Sequence, residues 1–151
     1  MGEPLSVATA AVAATSTAYK ISCSLYGFIQ SAKKVDTTIE LLYTAVVRLE
    51  ASLKNVDATL KSPGVIEATK NQSLYAGSLE AIDCSIRDCE HTLRAFSDVL
   101  PGQRTSQKLS MFKKAVDQIK LNLNQSEMNS LRSHIQAHST SLQIAMHTLT
   151  L

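Results

Sequence analysis

Leu5 to Tyr19 reads LSVATAAVAATSTAY and carries no charge, and between Glu3 and Lys33 the only charged residue is Lys20. The stretch has no alternating period and reads as one long helix. A surface helix normally keeps a charged face opposite its apolar one, so this one is built to be covered nearly all round. Glu3 and Pro4 form its entry, because proline is tolerated in a first helical turn and an acid suits the positive end of the helix dipole. Lys33 and Lys34 suit the other end.

What covers the helix is either protein or lipid. A constitutive span needs about 20 predominantly apolar residues. Here 15 uncharged residues, many of them Ala, Thr or Ser, precede Lys20. A secretory signal would place positive charge before its apolar core, whereas this chain places Glu3 there. Ala8, Ala10, Ala11, Ala13, Ala14 and Ala18 permit close approach of neighbouring helices in either environment. Gly2 with Ser6 also fits the loose myristoylation pattern, although an acid directly after the glycine is a poor match.

The rest of the chain is helical by pattern. Ile39, Leu42, Val46, Leu49, Leu53, Val56 and Leu60 alternate spacings of three and four after a Thr37-to-Glu40 capping box, and Ser62-Pro63-Gly64 ends the run. Val65 to Gln72 is either a short helix or an early start of the next one. The ladder resumes through Tyr75, Leu79, Ile82, Ile86, Cys89, Leu93, Phe96 and Leu100, until Pro101-Gly102 breaks it. Two further ladders follow: Leu109, Phe112, Val116, Ile119 and Leu123, then Met128, Leu131, Ile135, His138, Leu142, Ala145 and Leu149. Repeats of this period pack near-parallel at about +20°, and short connections make neighbours antiparallel. The expectation is a single all-α domain over 1–151, an up-and-down bundle of four to five helices with a long, charge-poor N-terminal helix. The helices are expected over about 4–34, 37–61, 73–100, 106–123 and 127–149.

Composition agrees and excludes much. Five glycines, three prolines, no tryptophan and few aromatics argue against a sheet. A net charge of +2 is too small a field for nucleic-acid binding. Of 15 basic and 13 acidic residues, all but Glu3, Lys20, Glu127 and Arg132 fall between Lys33 and Lys120, so the two terminal helices are the natural interior or contact surfaces. Three cysteines, an odd number, in a chain without a secretory signal read as reduced thiols in a cytosolic protein. By the same reasoning Asn71-Gln72-Ser73 and Asn124-Gln125-Ser126 are chance matches to the glycosylation sequon.

Candidate sites are few. His134 and His138 have the spacing of two metal ligands on one helix, but no glutamate follows His134 and no third ligand is evident, so a surface histidine plus a seam histidine is the better reading. Cys89 falls in an apolar seam and Cys84 does not stack with it. No P-loop, GxGxxG, G-x-S-x-G or paired-carboxylate motif occurs, which points to a non-enzyme with no cofactor and no metal. Arg104, Lys108, Lys113, Lys114 and Lys120 face only Asp117 in their segment. They form either a solvated helix face or a lipid-contact patch, where each cation adds about 1 kcal/mol beside an anionic leaflet.

The opening Met1-Gly2-Glu3-Pro4-Leu5-Ser6-Val7-Ala8, the Ala/Ser-rich first helix, Leu25-Tyr26-Gly27-Phe28-Ile29 and the ladders of the second and third long helices together resemble a fungal family. It is the HeLo-like N-terminal domains of STAND (NLR-type) receptors and of their partner cell-death effectors. The resemblance covers most of the chain, and the N-terminal octet is its specific part. It implies a bundle related to the four-helix domain of the necroptosis pseudokinase and to plant resistance coiled coils. Such domains self-associate when an amyloid motif or an NLR-type receptor gathers them, and relocate from cytoplasm to plasma membrane, where the first helix attacks. On this sequence the implied insertion element is Pro4 to about Tyr19, with Glu3 at its tip and Leu5, Val7, Val12 and Tyr19 along it. The implied lipids are anionic phospholipids. The competing expectation is a homotypic signalling or adaptor module of an NLR-like receptor, in which charge-poor faces of the first and last helices bind another helix without membrane activity.

Overall fold

The computed structural model describes residues 4–31, 37–71, 76–99 and 125–150. They form five helices: α1 Pro4–Ser31, α2 Thr37–Leu60, α3 Pro63–Asn71, α4 Ala76–Val99 and α5 Gln125–Thr150. The fold is an all-α bundle with a long N-terminal helix, as its periodicity predicts. The expected helix over 106–123 lies outside the described residues.

α1 packs against α2 and α4, and α5 packs against the same two helices. α1 and α5 therefore stand on one diagonal of the bundle and α2 and α4 on the other. Tyr26 lies beside Tyr43 with ring centroids 6.1 Å apart, and the Val12–Tyr19 stretch lies beside Glu50–Asp57, so α1 and α2 run antiparallel. Ser85 meets Ser141 at 3.2 Å and Thr92 meets His138 at 2.9 Å, which makes α4 and α5 antiparallel as well.

The ambiguous stretch after Gly64 is a helix of its own. Ser62 caps it: the Ser62 carbonyl accepts the Ile66 N–H at 3.1 Å, and Pro63 takes the first helical position, where its missing N–H costs nothing. The Ser62 hydroxyl meanwhile donates to the Thr59 carbonyl at 2.7 Å, closing the end of α2. The tripeptide that stops one helix thus starts the next. α3 touches the ends of α1 and α2, and through it the chain passes from α2 to the diagonal position of α4.

One core joins all four long helices. Every position of the α2 ladder from Ile39 to Leu60 is buried, as are Leu79, Ile82, Ile86, Cys89, Leu93 and Phe96 of α4. α5 is looser. Met128, Ile135, Leu142 and Met146 are buried, whereas Leu131, His138 and Ala145 are only half-buried. α1 buries Val7, Ala8, Ala11, Ala14, Ala18, Ile21 and Leu25, so the centre of its inner face is alanine.

Hydroxyls on α1 bond to their own helix. Thr9, Thr15, Thr17 and Ser24 each donate to the carbonyl four residues earlier, at 2.7–3.2 Å, and Ser22 donates to Tyr19 at 2.9 Å. Back-bonding of this kind bends helices slightly and leaves the hydroxyl satisfied without a neighbour.

Candidate contact surface on the first helix

Leu5, Val12, Tyr19 and Tyr26 recur every seven residues on α1, and seven residues return a helix to within about 20° of the same direction. All four are exposed, at 56%, 46%, 58% and 51%. They form one apolar row along the outer edge of α1 on the side toward α2, where Tyr26 meets Tyr43. No other helix carries such a row among the described residues; the remaining large exposed apolar side chains, Leu41 and Ile144, stand singly.

A groove of about 390 Å³ runs beside the row, lined by Val12, Thr15, Ser16 and Tyr19 from α1 and by Glu50, Lys54 and Asp57 from α2. The carboxylates lie low, tied to lysines one turn on: Asp57 to Lys61 at 2.9 Å, and Glu50 to Lys54 at 3.9 Å. The neighbouring Cys23 side chain, then slight desolvation and the Glu50 charge, raise the Tyr19 phenol above its usual range, so the ring stays neutral.

The far flank of α1 is bordered by α4. Ser85 and Thr92 mark the α5-facing edge of α4. At 100° per residue, Asp83, Arg87, Glu90 and Arg94 fall on the opposite edge, toward α1. They pair as Asp83–Arg87 and Glu90–Arg94, both at 2.9 Å, with the arginines outermost. α1 therefore lies as an almost uncharged strip between two borders of acid–base pairs. Each exposed pair of this kind adds only a few tenths of a kcal/mol, roughly 0.3–0.5, so the borders shape the surface more than they stabilise it.

The structure divides the residues that the sequence assigns to insertion. Leu5, Val12 and Tyr19 share the exposed row, but Val7 is 1% exposed and belongs to the core. Pro4 opens α1, and Glu3 lies outside the described residues. Tyr26 completes the row and is absent from the sequence-based set, although the seven-residue interval from Tyr19 points to it. Arg104, Lys108, Lys113, Lys114 and Lys120 all lie outside the described residues.

The other candidates resolve by packing. Cys89 is in the core, and burial, with Glu90 adding to it, pushes its thiol up to about 12, which leaves it inert; Cys23 and Cys84 are exposed. His134 is exposed, while His138 is half-buried against α4. The Thr92 hydroxyl donates to the Asp88 carbonyl at 3.1 Å, so its oxygen accepts from His138 Nε2 at 2.9 Å, which places the ring proton on Nε2. Burial lowers the His138 pKa, the Asp88 charge opposes that, and His134 reinforces it. Among the described residues no group of three His, Cys, Asp or Glu could hold a metal ion. A second groove of about 690 Å³ between α2 and α5 is lined by Ser, Thr, Asn, Gln, Ala, Leu142 and Met146 with Arg48 as its one charge, and it sets no acid or base beside its hydroxyls.

Among the described residues no helix is long and apolar enough to cross a membrane. No family model matches the chain, and no curated protein or solved structure does.

Proposed function

We propose that this chain is a membrane-acting contact domain, a bundle that self-associates and perturbs anionic membranes through α1, which is the cell-death activity the resemblance of its sequence implies. The observation that carries the reading is the two-sided character of α1. Its outer edge presents Leu5, Val12, Tyr19 and Tyr26, while the middle of its inner edge is Ala8, Ala11, Ala14 and Ala18. Burying an alanine methyl contributes about 0.8 kcal/mol, against roughly 1.5–3 for a leucine side chain. α1 accordingly forfeits less on leaving the bundle than the leucine-faced α2 would, and it already shows apolar side chains to its surroundings.

The mode this favours is interfacial. An amphipathic helix lying in the headgroup region needs an apolar edge and nearby cations, not a full span. Lys20 is exposed on α1 itself, and on its two borders Lys54, Lys61, Arg87 and Arg94, each paired with a carboxylate one turn earlier, turn the positive member of the pair outward. Clustering raises local concentration and so supplies the few kcal/mol that separate a docked helix from a released one.

The test is dye release from anionic liposomes by the protein, free and fused to an inducible oligomeriser. Release that rises on clustering and vanishes in folded Leu5→Lys and Val12→Lys variants is expected. Absence of release in the clustered protein would turn the reading to the homotypic adaptor, which the regular interval of the row favours as the second choice.

A further inference from the structure

The two flanks of α2 are charged in opposite ways. The flank toward α1 carries Glu50 and Asp57 with their lysines. The flank toward α5 carries Arg48 and borders the groove of about 690 Å³. None of the described carboxylates of either helix falls on that side. At 100° per residue from the buried Leu49, Glu40 turns outward, and Glu127 lies round α5 with His138, toward α4. Arg48 is alone by sequence as well as by position. Lys54, Lys61, Arg87 and Arg94 each have a carboxylate four residues earlier, whereas Thr44 stands there for Arg48 and Met128 for Arg132. Arg132 falls on the same side of α5, between Ser139 and Gln143 in angle and one turn before Gln136. Its Nε is buried without a hydrogen-bond partner, a state that buried donors rarely keep. Two guanidinium groups thus share one face of the bundle, and neither has an ion-pair partner among the described residues.

The groove on this face has the size and make-up of a small-molecule site. Such sites measure roughly 300–1,000 Å³, occur between helices of bundles, and set a few convergent polar groups over an apolar bed. Here Ala45, Leu142 and Met146, all buried, form the bed. Asn55, Gln136 and Gln143 stand exposed on the rim, and among the described residues their amides make no hydrogen bond to the protein. Ser52 and Ser139 meet across the groove at 3.2 Å. One donates to the other, which leaves one hydroxyl proton to give away. Amides and hydroxyls both donate and accept, so together they suit a hydroxylated body. A guanidinium grips an oxyanion through two parallel N–H donors.

We infer that the α2–α5 groove binds a small hydroxylated molecule carrying one oxyanion group, a phosphate ester or a carboxylate, with Arg48 holding the anion. The amides and hydroxyls take the body, and Arg132 adds positive potential from one turn beyond the lining. No acid in the lining opposes the charge. α1 and α5 occupy opposite corners of the bundle, so the site is remote from the exposed row on α1. The inference goes beyond the membrane reading and is tested without lipid. Loss of binding leaves leakage untouched, and absence of leakage leaves binding untouched.

Amide NMR of the isotope-labelled 151-residue protein, titrated with glucose-6-phosphate, gluconate and glucose, tests the site. At least one of the two anionic probes should give saturable shifts confined to the groove stretches of α2 and α5, and neutral glucose should give none up to about 20 mM. Arg48→Gln should raise the dissociation constant at least about tenfold. Arg87→Gln, which removes an exposed cation already paired with Asp83, should leave it unchanged. Arg48 is exposed, so circular dichroism should report an unchanged fold in its variant. Tighter binding of glucose-6-phosphate supports the site and assigns a phosphate ester; tighter binding of gluconate supports it and assigns a carboxylate. No saturable shift with either anion overturns the inference. So does binding that glucose matches or that Arg48→Gln leaves intact. Shifts spread equally over α1 and α4 would mean general screening of charge, and would overturn it as well.

Discussion

The inner face of α2 and the inner face of α1 solve the same problem by opposite means. α2 fills the core with Leu42, Leu49, Leu53 and Leu60, whereas α1 approaches it with Ala8, Ala11, Ala14 and Ala18. Bulk stabilises through area removed from water, and smallness stabilises through proximity, because dispersion falls off within an ångström of contact. The difference teaches which changes each helix feels. α2 is sensitive to what is taken away, α1 to what is added.

The largest effect should therefore come from truncating the bulky side. Leu49→Ala and the equivalent change on α4, Ile86→Ala, should each cost about 2–5 kcal/mol in urea unfolding, since both side chains are fully buried and leave a cavity. Equal stability of such a variant and the parent would erase the contrast. On the alanine side the sign of the size change reverses: Ala14→Leu should cost about 1–3 kcal/mol by forcing α1 off its neighbours. A stabilised Ala14→Leu would mean that the close approach is not what holds α1.

A pH-dependent effect separates the α4–α5 contact from both. His138 has a folded pKa below its ordinary 6.5, so as pH falls the unfolded chain takes up the proton first. Its contribution is present above about 6.5 and is lost as pH drops from there toward the folded value. Between about pH 7.5 and about pH 5.5 the parent should lose more stability than His138→Gln, which lacks the titrating ring. Parallel losses in the two would remove His138 from that role. The smallest stability change belongs to the outer row: Leu5→Lys and Val12→Lys should shift unfolding by no more than about 0.5 kcal/mol, while liposome leakage disappears. Retained leakage in either folded variant would count against α1 as the acting element.

The bulky half of this comparison was readable from the chain, and the small half only in part. Leu and Ile at alternating threes and fours determine which side of α2 and α4 turns inward, and the structure buries those positions. On α1 the same argument loses its grip, because alanine and threonine suit either face. Leu5 and Val7 illustrate it. Two residues apart, they point some 200° away from each other, so one had to be buried and one exposed, yet nothing in an uncharged helix says which. The ladders of α2 and α4 settle it by offering α1 the edge that carries Val7, Ala11, Ala14 and Ala18. α3 stayed open between a short helix and an early start of the next for another reason: nine residues hold too few turns to display a period, and its start is written in a cap, Ser62 with Pro63, that also reads as a stop. The structure settles it as a short helix, Pro63–Asn71, through which the chain passes to the diagonal position.

The hydroxyls of α1 decide what a change of surroundings would cost it. A bare hydroxyl taken from water into an apolar medium without a partner is penalised by about 1–3 kcal/mol on protein-based scales, so five of them could anchor a helix to water more firmly than its alanines anchor it to the core. Thr9, Thr15, Thr17, Ser22 and Ser24 already donate to carbonyls of their own helix. Their partners travel with them. For solvation purposes α1 is a nearly neutral cylinder with Lys20 as its single charge, and these five hydroxyls, which look like ties to the aqueous phase, are closer to methyl-bearing filler.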